Sequence, residues 1–404
     1  MSPDQDGTEN QEEAPGLADE PLSGTGGDDL APQSALTSSP LSIDLETMSY
    51  FHHFTTNTYL TLPGEEQVPP APNYWSTEVV PQALQQKWLM CGILAISARH
   101  LAILAGGVTQ RETHDQRAHE FFTEFSKRWK QLSSLNGDLS NAALPTEETS
   151  ATRIGKKVMS ILNLAAYNPR LLDMDSGGVG ESFGSGSARG DLPSIITDIQ
   201  GLYCPSTNLE GSRDEESRNT ETMARAKSIL ESKPPSSFSS ELSARTVSRS
   251  EILQHDTSQS SGLVFDRLRD LPHLMAVAFG KPDNIKDVLA AVLAIGSLVI
   301  CFDASFEHTG LVGDGRGTKE ALSWHNMARW TLETTEHFND MIARETPGAL
   351  VVVAHWAAFL VTNAEVSGSW FLHGLSNVIH EQIMRRLSSE SSAVQRLVSD
   401  LTST

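Results

Sequence analysis

Trp88-Leu-Met-Cys-Gly-Ile-Leu-Ala-Ile-Ser-Ala-Arg-His-Leu-Ala-Ile-Leu-Ala105 is the stretch whose reading decides the fold. Leu84, Trp88, Leu89, Ile93, Leu94, Ile96, Leu101 and Leu104 cover most of the circumference of one helix over residues 82–105. A helix that is apolar nearly all round lies deep in a core. Gly106 and Gly107 stop it. Two other apolar runs, residues 288–302 and 349–361, behave alike. Arg99 and His100 interrupt the first run, His355 interrupts the last, and the middle one is too short for a bilayer. All three read as buried helices of a soluble protein, and no membrane span is expected.

Working outward, Thr109-Gln-Arg-Glu112 matches a capping box. It opens an amphipathic helix with Phe121, Phe122, Phe125, Trp129 and Leu132 on one side. Residues 146–168 read as one further helix, ended by Pro169. Upstream, Asp44 is the N-cap expected for a helix on which Leu45, Met48, His52, Thr55 and Tyr59 share a stripe. A Pro-rich loop follows over 63–73. Residues 1–43 are rich in Asp, Glu, Gly, Ser and Pro and cannot bury enough apolar surface to offset ordering entropy. They read as a disordered, acidic, solubilising segment, too poor in apolar residues for a strong activation domain.

From 173 to 262 the periodicity disappears into Gly/Ser and Ser-rich sequence. So long a structureless stretch reads as a low-complexity insertion, with one short apolar stretch, Leu192–Leu202, open to local docking. Its removal is expected to leave the domain folded. Order resumes near Leu263 and continues through helices at 285–302, 324–342, 348–361 and 370–387. Residues 389–404 read as a polar tail. No period-2 alternation recurs. The expected fold is all-α, a bundle of eight to ten helices over 44–388 interrupted by the insertion, its two flanks sharing one core.

Composition narrows function. A formal charge of −21 and a pI near 5.0 disfavour direct contact with phosphate backbones. No Lys or Arg precedes Lys87, and Met1 to Leu22 has neither a basic start nor an apolar run, so no signal peptide is expected. Cys91, Cys204 and Cys301 stand more than 90 residues apart, which suits neither a disulfide framework nor a local metal site.

Three stretches resemble the fungal-specific regulatory domain of the zinc-cluster transcription factors, the sterol uptake control proteins being the nearest subgroup. The first is Asp44-Leu-Glu-Thr-Met-Ser-Tyr-Phe-His-His-Phe-Thr-Thr-Asn-Thr-Tyr-Leu-Thr-Leu62, with its Leu/His-His/Thr-Thr pattern. The second and most specific is residues 75–102, containing Leu89-Met90 and His100-Leu-Ala102. The third is residues 347–374, with Ala354-His355-Trp356 and Trp370-Phe-Leu-His-Gly374. The resemblance implies a nuclear transcription regulator, with shuttling to the cytoplasm open, acting for a pathway or gene cluster. It also implies, as the alternative, a sensor of a hydrophobic, sterol-like molecule held inside the bundle. The family's six-cysteine zinc cluster has no counterpart here, since residues 1–90 hold no cysteine and thiolates are indispensable to it. Autonomous specific DNA binding is therefore not expected. Protein partners of the transcription machinery, or a DNA-binding regulator, would take its place. The end of the chain, after Leu387, departs from the family's closing helix pattern.

No catalytic, cofactor-binding or metal-ligating residue is assigned, and no enzyme is expected. His52, His53 and His100 read as core or helix-surface histidines, because no Cys or acid stands at ligand spacing. His380-Glu381 lacks the second histidine of a zinc-protease helix. The glycine tracts at 178–184 and 313–319 have the wrong spacing for phosphate loops and read as loops. Asp173 and Asp175 lie at a tract boundary, where burial cannot tune them. Arg245-Thr-Val-Ser248 and Arg249-Ser250 read as a solvated cluster rather than a kinase site, and Lys156-Lys157 and Arg385-Arg386 are too short for nuclear signals.

Overall fold

The computed structural model describes residues 45–63, 73–139, 149–169, 191–203, 215–232, 257–282, 284–307 and 316–401. Every regular element among them is helical. Fourteen helices run in chain order: α1 Leu45–Thr56, α2 Val80–Gln85, α3 Lys87–Leu104, α4 Val108–Leu139, α5 Ser150–Ala165, α6 Leu192–Leu202 and α7 Glu215–Ser232. They continue as α8 Thr257–Phe279, α9 Ile285–Glu307, α10 Arg316–Glu333, α11 Glu336–Ala343, α12 Pro347–Val366, α13 Leu375–Arg386 and α14 Ser392–Ser399. A π-turn at Ala357–Val361 interrupts α12. The fold is all-α as expected, with more helices than eight to ten.

Two helices organise the packing, and both were legible as apolar runs. Helix α3 folds back on α4 and is flanked by α1, α2 and α5. A Cβ on Gly92 would meet Val158 at 2.7 Å and Phe125 at 2.9 Å, so the missing side chain is what lets α3, α4 and α5 close together. In the second half, α9 is surrounded by α7, α8, α10, α11 and α12. Among the described residues three helices are long and apolar enough to cross a membrane, Lys87–Leu104, Ile285–Ser305 and Pro347–Val366; the middle one, expected to be too short, reaches that length because the helix extends beyond the 288–302 run at both ends. They are 72%, 78% and 78% buried inside the protein.

The halves share one core within the compact unit formed by Ile43–Thr404. The 3-10 turn Trp370–Leu372 reaches back to α3 and α5. Helix α6 forms the second bridge, packing on α5 on one side and on α10 and α11 on the other. Asp191 caps it, accepting from the Ser194 amide. Leu192, Ile195, Ile196, Ile199 and Leu202 are all buried. At roughly 1.5–3 kcal/mol per buried aliphatic side chain, that face contributes on the order of 10 kcal/mol before entropy is counted.

Several expectations are corrected. The 173–262 stretch is not uniformly structureless: α6 is an integral core helix, α7 packs on α9, and α8 begins at Thr257, ahead of Leu263. Removing the whole tract would therefore strip the core. The 389–404 tail contains α14, whose Val394, Leu397 and Val398 are buried, as is Leu401 behind it. Their i, i+3, i+4, i+7 spacing outweighs the polar composition around them.

The expected 82–105 helix breaks at Gln86, which is extended at φ −129°. The 324–342 helix breaks at Thr335, whose hydroxyl caps α11. The 370–387 segment breaks at Gly374, in the left-handed region at φ 86°. Thr109 lies inside α4, which starts at Val108, so the capping box does not form at its expected place. On α1 the buried residues are Tyr50 and Phe54, while Leu45 is 90% exposed. Arg316 to Lys319, expected in a loop, open α10. Asp44, the 1–43 segment, Asp173, Asp175, the 178–184 and 313–315 glycines and Arg245 to Ser250 lie outside the described residues.

Candidate functional site

A cleft of about 830 Å³ lies between α7, α8 and α9. Helix α9 supplies its floor through Val292, Ile295, Gly296 and Val299, residues at helical spacing on one face. Leu268 and Pro272 of α8 form one wall; Met223 and Leu230 of α7 form the other. Size and lining suit a small-molecule pocket, mostly apolar with few polar groups. Its charges are balanced internally. Lys227 pairs with Glu231 across 3.8 Å, and Arg269 pairs with Asp266. Arg269 also donates from Nη2 to the Leu230 carbonyl at 2.7 Å, tying the last turn of α7 to α8. The Thr220 hydroxyl donates within its own helix to Glu216. The arrangement offers an apolar surface for binding.

Helix α7 packs along α9, and its Ile229 and Leu230 lie partly buried against the core. Ala226 is its one fully buried side chain among residues 216–232. A Cβ on Gly296 would lie 3.5 Å from the Ala226 Cβ and 3.4 Å from the Met223 sulfur, so the two helices nearly touch there.

The histidines singled out in the sequence divide. His52 is exposed, whereas His53 Nε2 lies 3.3 Å from His100 Nδ1, bringing together residues 47 apart in the chain. The Thr58 hydroxyl is 3.1 Å from the same His100 nitrogen. His100 stacks on Trp370, whose indole N–H donates to Thr61 at 2.9 Å. Burial, followed by the neighbouring His53, pulls the His100 pKa down to about 4. Burial likewise lowers His53 and His114, and Tyr50, within 2.9 Å of His114 Nδ1, is pushed up to about 12 by burial and by Glu46. His355 is wholly buried. Its Nδ1 lies 2.8 Å from the Val351 carbonyl, and its Nε2 is 3.4 Å from Arg267 Nε. Burial and the Arg267 charge take its pKa to about 3. These imidazoles are neutral packing groups joining helices.

Cys91 and Cys301 are buried free thiols, pushed up by burial, Cys91 to about 11. Protonated thiols neither attack nor ligate readily. Among the described residues no group of three or more His, Cys, Asp or Glu is placed to hold a metal ion. Sequence reasoning missed the cleft. The spacing of Val292, Ile295 and Val299 was visible, but it belonged to a helix apolar on every side, so nothing singled out one face.

No family model matches the chain, and no solved structure matches it. The chain is similar to the Orsellinic acid/F9775 biosynthesis cluster protein D of Emericella nidulans, at 33% identity over 363 residues. The match covers 89% of this chain and 61% of that protein, so the chain spans less than two thirds of its relative's length. It is thus a homologue of a fungal gene-cluster protein.

Proposed function

We propose that this chain is a regulatory helical domain of the zinc-cluster transcription-factor type, serving a fungal biosynthetic gene cluster in the nucleus. The observation that carries this reading is the 33% identical relative, named for a biosynthesis cluster. The resemblance to the regulatory domain supports it, and the resembling residues include much of the core, among them Leu89, Ala98, Ala102, Trp356 and Trp370. On this reading the chain is not an enzyme, and it reaches promoters through a DNA-binding protein partner. In the fungus, deleting the gene should lower or raise transcripts of its neighbouring biosynthetic genes together. Unchanged transcripts with a lost metabolite, or turnover of a pathway intermediate by the purified chain, would overturn the proposal. The purified chain should not retard a promoter fragment specifically at about 0.15 M salt.

The cleft favours a second, compatible reading, a sensor of a hydrophobic small molecule. A ligand present at about 100 times its Kd should add roughly 2.7 kcal/mol of stability. A panel of apolar, sterol-sized compounds that leaves the melting temperature unmoved would count against it.

A further inference from the structure

We propose that Ser388 is a phospho-acceptor for a basic-directed protein kinase, and that Arg385 and Arg386 hold the phosphate it receives. Arg385-Arg386-Leu387-Ser388 places two guanidinium groups three and two residues ahead of a hydroxyl. Kinases that carry acids beside the catalytic cleft select substrates by that order of charges. These are the only adjacent arginines in the sequence.

The fold puts the hydroxyl within reach. Helix α13 ends at Arg386, a single 3-10 turn covers Leu387–Ser389, and α14 starts at Ser392. Ser388 and Ser389 are exposed in that turn. The Ser388 hydroxyl donates to the Arg385 carbonyl at 2.8 Å, an exposed bond that water replaces at little cost. Leu387 is buried, so the turn has to open before these residues can extend along a kinase cleft. A 3-10 turn at a helix end is a place where opening costs little. In the transfer the Ser388 oxygen forms a bond to the terminal phosphorus of ATP as the bond to the β-phosphate breaks. ADP leaves, and the hydroxyl proton passes to the kinase's carboxylate.

The product then carries close to two negative charges at the C-terminal end of α13, where the helix dipole opposes them. Cations are in place. Arg385 is exposed, makes no ion pair among the described residues, and stands three residues back, on the same side of the turn as Ser388. Arg386 is engaged elsewhere, its Nε pairing with Glu345 Oε1 at 2.5 Å. Glu345 is held at φ 54°, a left-handed conformation that costs a non-glycine residue, in the turn that closes α11. A phosphate carries more charge than a carboxylate and accepts both arms of a guanidinium, so it draws Arg386 away from Glu345. Phosphorylation thereby loosens the tie between α13 and the strained turn after α11.

The test uses the full chain with ATP and the catalytic subunit of cyclic-AMP-dependent protein kinase, which selects Arg-Arg-x-Ser; a casein kinase, which selects downstream acids, is the comparison. The first should label Ser388, as located by mass spectrometry, and the second should not. Ser388→Ala should lose this label with its melting temperature unchanged, and Arg385→Gln should slow labelling about tenfold. Leu397→Ala, which loosens the docking of α14, should speed labelling, because the turn opens more often. In the labelled chain the phosphorus-31 resonance should titrate below the ordinary second pKa of about 6, and Glu345→Gln should lower it further by releasing Arg386 in advance. Hydrogen exchange at the Glu345 and Thr346 amides, which bond back to Ile342 and Met341, should quicken on labelling. An unlabelled Ser388 in the full chain would overturn the acceptor site, whether or not a peptide of residues 382–394 is labelled. Label on Ser389 in its place would overturn the assignment. Titration at the ordinary value would overturn the arginine clamp, and unchanged exchange at Glu345 and Thr346 would overturn the release of the α11 turn.

Discussion

His100 on α3 stacks on Trp370 of the late 3-10 turn, ring centroids 4.9 Å apart and planes 16° from parallel. The pair joins the two halves of the chain at a point where the imidazole is buried, 6% exposed, and shares one ring nitrogen between His53 and Thr58. A charge there would sit on an indole face that welcomes cations, yet burial and His53 prevail and keep the ring neutral.

Acid sensitivity follows from that neutrality. His100 falls to about 4 and His355 to about 3 in the folded chain, against an ordinary value near 6.5. Between those values the unfolded chain binds more protons, so stability is fully present above about pH 6.5 and declines as pH falls toward the folded values. The loss should amount to a few kcal/mol between pH 7 and pH 4.5. Urea melts across that range check it; a midpoint that does not move would refute it.

Leu94→Asp should unfold both halves at once. Leu94 is 3% exposed within the shared core, and an unpaired carboxylate there should cost at least several kcal/mol. Hydrogen exchange of the variant is the measurement. Protection that persists in α9 and α12 would show two separable cores.

Gly374→Ala should destabilise the chain by about 2 kcal/mol or more. Gly374 has φ 86°, and a Cβ there would come within 2.5 Å of Pro169 Cδ and 3.2 Å of the Tyr167 carbonyl. The turn it makes seats Trp370, whose carbonyl accepts from Asn168. A melting temperature within a degree of the unsubstituted chain would contradict this.

Truncation after Ser389 should lower stability by several kcal/mol. It removes the buried Val394, Leu397, Val398 and Leu401, and it removes the Leu397 carbonyl that accepts from Arg267 Nη2 at 2.9 Å. Arg267→Met in the intact chain should cost part of the same loss, because it takes away the donor to the Leu397 carbonyl. Chemical melts of the three chains test both steps.

The sequence by itself determined the fold class and the two organising helices. Residues 88–105 and 285–302 are apolar on nearly every side, a pattern that has to leave water, and here other helices cover it. It also held α14, whose Val394, Leu397, Val398 and Leu401 keep helical spacing inside a polar composition that masked it. Tertiary structure alone decided the rest. Helix α6 is short and surrounded by Gly/Ser-rich sequence, and it becomes core because α5 on one side and α10 and α11 on the other meet its apolar face. The His53–His100 pair and the cleft unite residues from elements far apart in the chain. Which face of α9 is left as a cleft floor depends on where α7 settles, and an all-apolar helix carries no local mark of that choice. Periodicity records how much of a helix wants to leave water; which neighbour covers it is set by the packing of the whole chain.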